Sequence, residues 1–153
     1  MTKLSCLTTR TRWIAVGVTA LIATAALAHE GAEDPQVQAR MTNMKEIGAA
    51  TETLGKMAKG ETAFDVITAR TTAITLGSLA SSIPTLFEAP ATDPKSEALP
   101  AIWENYADFT AKSEALVTAT TDGATMRTIE DLQGMMRDVG AACSACHEVY
   151  RKP

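Results

Sequence analysis

The sequence predicts an all-α fold, an antiparallel four-helix bundle, and three observations carry that expectation. Apolar residues recur at steps of three and four along most of the chain. Strand signals are missing, because no apolar/polar alternation is bounded by an Asn-Gly or Asp-Gly hairpin turn. Prolines 84, 90, 94 and 100 mark one long irregular connection, which separates two pairs of helical segments with short internal links.

Residues 1–28 read as a secretory signal: Lys3, Arg10 and Arg12 form a positive n-region, Trp13 to Leu27 carries no charge, and Ala26-Leu27-Ala28 offers a signal-peptidase site. Cys6 precedes the apolar stretch, where no lipobox would place it, and leaves with the signal. The mature domain, 29–153, is then a periplasmic protein with no membrane segment. Cleavage removes three positive charges, so the formal net of -4 becomes -7. No basic run follows residue 12, which argues against nucleic acid as a partner.

The first helix is expected over 34–60. Asp34 is its N-cap, Pro35 occupies the first helical position, where a missing N–H costs nothing, and Gly60 marks the end. Val37, Met41, Met44, Gly48, Thr51, Gly55 and Ala58 form its inner stripe, widened by Ile47, Leu54 and Met57. The second spans about 62–82, with Phe64, Ile67, Ile74 and Ser78 on one row and Val66, Ala73, Leu76, Ala80 and Ile83 on the next, and Pro84 ends it. The third follows Pro100, faces Ile102, Trp103, Tyr106, Phe109, Leu116 and Val117 inward, and closes at Thr121-Asp122-Gly123. The fourth covers roughly 124–151, with Ile129, Leu132, Met136, Val139, Cys143, Cys146, His147 and Tyr150 along one side. No internal repeat or second domain interrupts this order.

Cys143-Ser144-Ala145-Cys146-His147 is the motif that carries chemistry. Two thiols three residues apart on a helix match the separation of the vinyl groups of haem b, to which they can add as thioethers. The next residue then delivers an imidazole to the iron. A thioredoxin-like pair also uses Cys-x-x-Cys, but at a strand-to-helix junction that this chain lacks. Zinc could take Cys143, Cys146 and His147, yet adjacent Cys146 and His147 chelate poorly and the other histidine is His29 at the mature N-terminus. A plain disulfide is available in an oxidising compartment, but it leaves His147 unexplained. Haem attachment uses all three residues.

A helical bundle ending in Cys143-Ser-Ala-Cys146-His147-Glu-Val-Tyr150-Arg151 resembles the class II cytochromes c, the cytochrome c′ family. Arg40-Met-Thr-Asn-Met44 is similar to the family's opening helix, and Ala101-Ile102-Trp103 to the start of its third. The resemblance implies one haem c per chain, held by Cys143 and Cys146, with His147 as proximal ligand to the iron. It places Arg40 near a propionate, Arg151 on the proximal side, and Met44 at the distal position. Met41, Met57, Met126, Met135 and Met136 are rival thioethers, and the spacing from Arg40 favours Met44. A distal Met implies the low-spin His/Met branch, since thioether sulfur is a soft ligand that favours ferrous iron. The expected activity is single-electron transfer between redox partner proteins, without enzymatic turnover. A five-coordinate haem that binds nitric oxide or carbon monoxide is the alternative. A homodimer through the first helices is common in that family.

Overall fold

The computed structural model describes residues 31–153; the expected signal segment 1–28 and His29 lie outside them. Six α-helices follow: α1 Pro35–Ala58, α2 Val66–Ser81, α3 Ile83–Phe87, α4 Ala101–Glu104, α5 Tyr106–Thr120 and α6 Ile129–Tyr150, with a 3-10 turn at Thr121–Ala124. No strand occurs among the described residues; an isolated bridge joins Ala98 to Arg151. The four long helices form a ring in which α1 packs on α2 and α6, and α5 packs on the same two, so that α1 and α5 are diagonal.

Local chemistry sets most boundaries. The Asp34 carboxylate accepts from the N–H groups of Gln36 and Val37 at 2.8 and 3.1 Å, satisfying donors that the first turn cannot. Gly60 closes α1 at φ +75, a left-handed conformation that glycine adopts without strain. The second helix starts at Val66 rather than near Thr62, because Asp65 caps it by accepting from Thr68 N–H at 2.7 Å. The chain turns at Ser82 and resumes as α3, in which Pro84 sits in the first turn and needs no donor. The third predicted helix breaks at Asn105 (φ -129, ψ 44) into α4 and α5. The fourth begins at Ile129, not Ala124, because Thr128 and Asp131 form a capping box there.

Packing also corrects the inner faces. On α1 the fully buried row is Val37, Arg40, Asn43, Ile47, Ala50, Leu54 and Met57. Met44, Thr51 and Gly55 are half-buried, whereas Gly48 and Met41 are exposed. On α2 the row through Ala69, Ala73, Leu76 and Ala80 is buried, and Ile67 and Ile74 stand out in solvent at 72% and 57% exposure. Alanines on the buried row let α2 approach its neighbours closely. At Gly123 an added Cβ would lie 2.4 Å from Ala73 Cβ and 3.0 Å from Met135 Sδ, so the turn requires glycine for space.

Phe87, Trp103, Tyr106, Phe109 and Tyr150 collect at one end of the bundle. Phe109 meets Phe87 at 5.1 Å, Tyr106 at 6.1 Å and Tyr150 edge-on at 5.4 Å. Trp103 Nε1–H donates to the Phe87 carbonyl at 2.8 Å and Tyr106 O–H to the Pro84 carbonyl at 2.6 Å, which anchors the Pro-rich connection.

Candidate functional site

Cys143, Cys146 and His147 lie in the last two turns of α6. Both thiols are half-buried and unpaired. Burial pushes both above the ordinary thiol range, and Lys112 offsets part of the effect at Cys146. They therefore stay protonated at neutral pH, opposite to the thiolate that a reactive redox cysteine needs. His147 is held below the usual imidazole value by desolvation first and by the nearby Arg151 second. Its ring is neutral at pH 7 and keeps a lone pair for a metal. Among the described residues, no group of three His, Cys, Asp or Glu side chains could hold a metal ion, which disfavours a protein-only zinc site.

Two contacts establish how α1 faces α6. Gln133 Nε2–H donates to the Ala58 carbonyl at 2.9 Å, and a Cβ on Gly55 would lie 4.0 Å from Met136 Cε. Numbers fall along α1 as they rise along α6, so the helices are antiparallel. Extended in ideal steps of three and four on both helices, this register projects Thr51 to the height of Gly140, Gly48 to that of Cys143, and Met44 to that of His147. Gly48 and Gly140 are exposed, so a Cβ added at either would meet nothing within 4 Å, and the buried Thr51 Oγ1 has no hydrogen-bond partner. On the other side of α6, a groove of about 890 Å³ against α5 is lined by residues such as Ala115, Ala119, Ala141 and Ala145, and includes none of the thiols, His147 or Met44.

The two arginines expected near the site, Arg40 on α1 and Arg151 just beyond α6, have different surroundings. Arg40 is buried, with its guanidinium donating to the carbonyls of Leu86, Ala89 and Ala91 and lying 4.8 Å from the Phe87 ring centroid and 5.3 Å from that of Trp103. Burial lowers its pKa, and the Asp34 charge opposes that shift. This clamp on the connection was not apparent from sequence; its signal lies in a Pro-rich stretch whose carbonyls need donors. Arg151 is exposed and pairs with Glu97, Nε to Oε2 at 2.6 Å. Glu97, also unforeseen, is held below the usual carboxylate range by that hydrogen bond.

The family profile described as Cytochrome C′ matches residues 35–151, nearly the whole described chain. The chain belongs to the cytochrome c′ family. It is 40% identical over 139 residues to cytochrome c-554 of Cereibacter sphaeroides, covering 86% of this chain and 91% of that one. Cytochrome c′ from Rhodopseudomonas palustris superposes with a TM-score of 0.72 at 28% identity, covering 79% of this chain and 98% of the other. A nitric oxide complex of a mutant cytochrome c prime from Alcaligenes xylosoxidans follows the same fold, with TM-score 0.69 and 26% identity over 77% of this chain and 94% of that one. Cytochrome c′ proteins carry one covalently bound haem c with its iron, and this chain is a monohaem c-type cytochrome. Proteins of this family carry electrons or bind small ligands and are not classical enzymes. The facing sides of α1 and α6 carry groups that fit such a cofactor: two half-buried free thiols, a neutral imidazole, exposed glycines at 48 and 140 that obstruct no approach, and an unpartnered buried hydroxyl. No helix among the described residues is long and apolar enough to cross a membrane.

Proposed function

We propose that this cytochrome c′ protein is a six-coordinate, low-spin electron carrier of the periplasm. Cys143 and Cys146 would hold the haem through thioether bonds, the addition of each S–H across a vinyl group requiring no oxidant or reductant. His147 supplies the proximal nitrogen and Met44 the distal sulfur. The bound haem supplies a one-electron Fe(III)/Fe(II) couple. The antiparallel register of α1 and α6, which projects Met44 to the height of His147, supports this reading. Met44 is half-buried and packs against the core, so its thioether is held rather than free in solvent. Donors from two packed helices would leave the protein little to rearrange on electron transfer, which suits rapid exchange.

Arg40 spends three of a guanidinium's five N–H groups on carbonyls, and the remaining two are available for a propionate carboxylate. The acidic mature chain suits a basic redox partner. Export follows from the signal at 1–28, and mature protein from the periplasm should begin at His29 by N-terminal sequencing. Exposed Ile67 and Ile74, beside a groove between α1 and α2 lined by Ala49, Ala50, Thr71 and Thr75, support a homodimer, which sedimentation tests.

The optical spectrum of the purified ferrous protein decides between carrier and gas binder. A sharp low-spin α band that resists carbon monoxide supports Met44 ligation, and Met44→Ala should convert it to a high-spin form that binds the gas readily. A wild-type protein that is already high-spin and takes up carbon monoxide overturns the carrier reading in favour of gas binding. That reading draws support from the relative captured with nitric oxide.

A further inference from the structure

The connection between α3 and α4 returns to the end of α6 as a short backbone strap. Leu99 N–H donates to the Tyr150 carbonyl at 3.0 Å and Lys152 N–H to the Glu97 carbonyl at 2.8 Å, flanking the antiparallel bridge between Ala98 and Arg151. Lys152 Nζ adds a bond to the Ser96 carbonyl at 2.7 Å. The strap delivers the Glu97 carboxylate to Arg151 Nε at 2.6 Å, while Arg151 N–H donates to the His147 carbonyl at 3.2 Å. Glu97 thus belongs to a segment about fifty residues away in sequence, yet it meets the cation one helical turn beyond the proposed iron ligand.

We propose that Glu97 is a positioning residue that fixes the Arg151 guanidinium beyond His147 and offsets its charge there, so that the pair sets the reduction potential of the haem. This rests on the reading of His147 as the proximal ligand. Reduction adds one electron at the iron, taken from the redox partner, so a nearby positive charge favours the ferrous state and a negative one the ferric state. Both side chains are about half exposed, at 51% and 59%, and such a pair contributes little to stability. The strap itself is held by backbone bonds that do not involve the Glu97 carboxylate. The charge can therefore be changed while the fold stays intact.

Potentiometric titration of the holoprotein, followed by its optical spectrum, tests this. Glu97→Gln should move the midpoint to a more positive value, Glu97→Lys further in the same direction, and Arg151→Gln to a more negative value. The Glu97→Gln/Arg151→Gln double variant should return close to wild type, and all the shifts should shrink at high salt. Midpoints that do not respond to either charge, or that move the same way for Glu97→Gln and Arg151→Gln, overturn the proposal. His147→Ala separates it from its parent reading. If that variant leaves the haem spectrum unchanged, His147 is not the ligand and both fail. If the spectrum changes while the midpoints ignore residues 97 and 151, only this proposal fails.

Discussion

Glycines divide the bundle into a closed side and an open one. Where α2 meets α5 and the 3-10 turn, a Cβ on Gly77 would lie 2.6 Å from Thr120 Oγ1, and one on Gly123 would lie 2.4 Å from Ala73 Cβ. On α1 and α6, Gly48 and Gly140 are exposed, and a Cβ there would find no neighbouring atom within 4 Å. The same residue type has opposite surroundings: on the closed side it lets backbones approach, and at positions 48 and 140 it leaves the helix surface unobstructed. A core completed by a porphyrin needs both, because its protein half must be rigid enough to keep the other half apart. The aromatic cluster around Phe109 lies at the end that carries Cys146 and His147, where such a group would complete the packing.

The strongest way to break this contrast is to remove what fills the open side. Cys143→Ala/Cys146→Ala should abolish covalent haem by mass, and its thermal midpoint should fall further than for any substitution below. On the closed side, Gly123→Ala has no room and should cost about 1–3 kcal/mol in denaturant unfolding. Gly140→Ala should have the reverse sign in the thiol-free background, stabilising by up to about 1 kcal/mol, because alanine restores helix propensity where nothing obstructs it. The smallest effect is at the start of α6. Asp131 accepts from Arg127 and Thr128 N–H at 2.7 and 3.0 Å, which holds its carboxyl below the ordinary range. Its contribution is fully present above the unfolded value of about 4 and is lost as pH falls through the lower folded value. Asp131→Asn should flatten that acid limb in thermal melts while leaving the open side untouched.

Much of this was legible in the residues themselves, where neighbours in sequence decide the outcome. Asp34 and Pro35 start α1, Gly60 ends it, and Cys143, Cys146 and His147 share the end of one helix, as their spacing requires. Elsewhere the periodicity offered two apolar rows and no means to choose between them. On α2 both rows are apolar enough, and the alanine-rich row is buried because it allows close approach to α5, while Ile67 and Ile74 are left outside. The break at Asn105, where the backbone leaves the helical region at φ -129 and ψ 44, was likewise hidden from the periodicity.

Sequence alone therefore determined the four helical segments, the Asp34 and Gly60 ends of α1 and the Cys143–His147 pentapeptide, whose signals lie within about a turn of each other. Tertiary structure decided what lies across from what. Met44 is projected to the height of His147 only by the antiparallel register of α1 and α6, Arg40 clamps the carbonyls of 86–91, and Glu97 reaches Arg151 through a backbone strap. These pairings join segments far apart in the chain. Their geometry follows from how whole helices pack, and no local pattern encodes it.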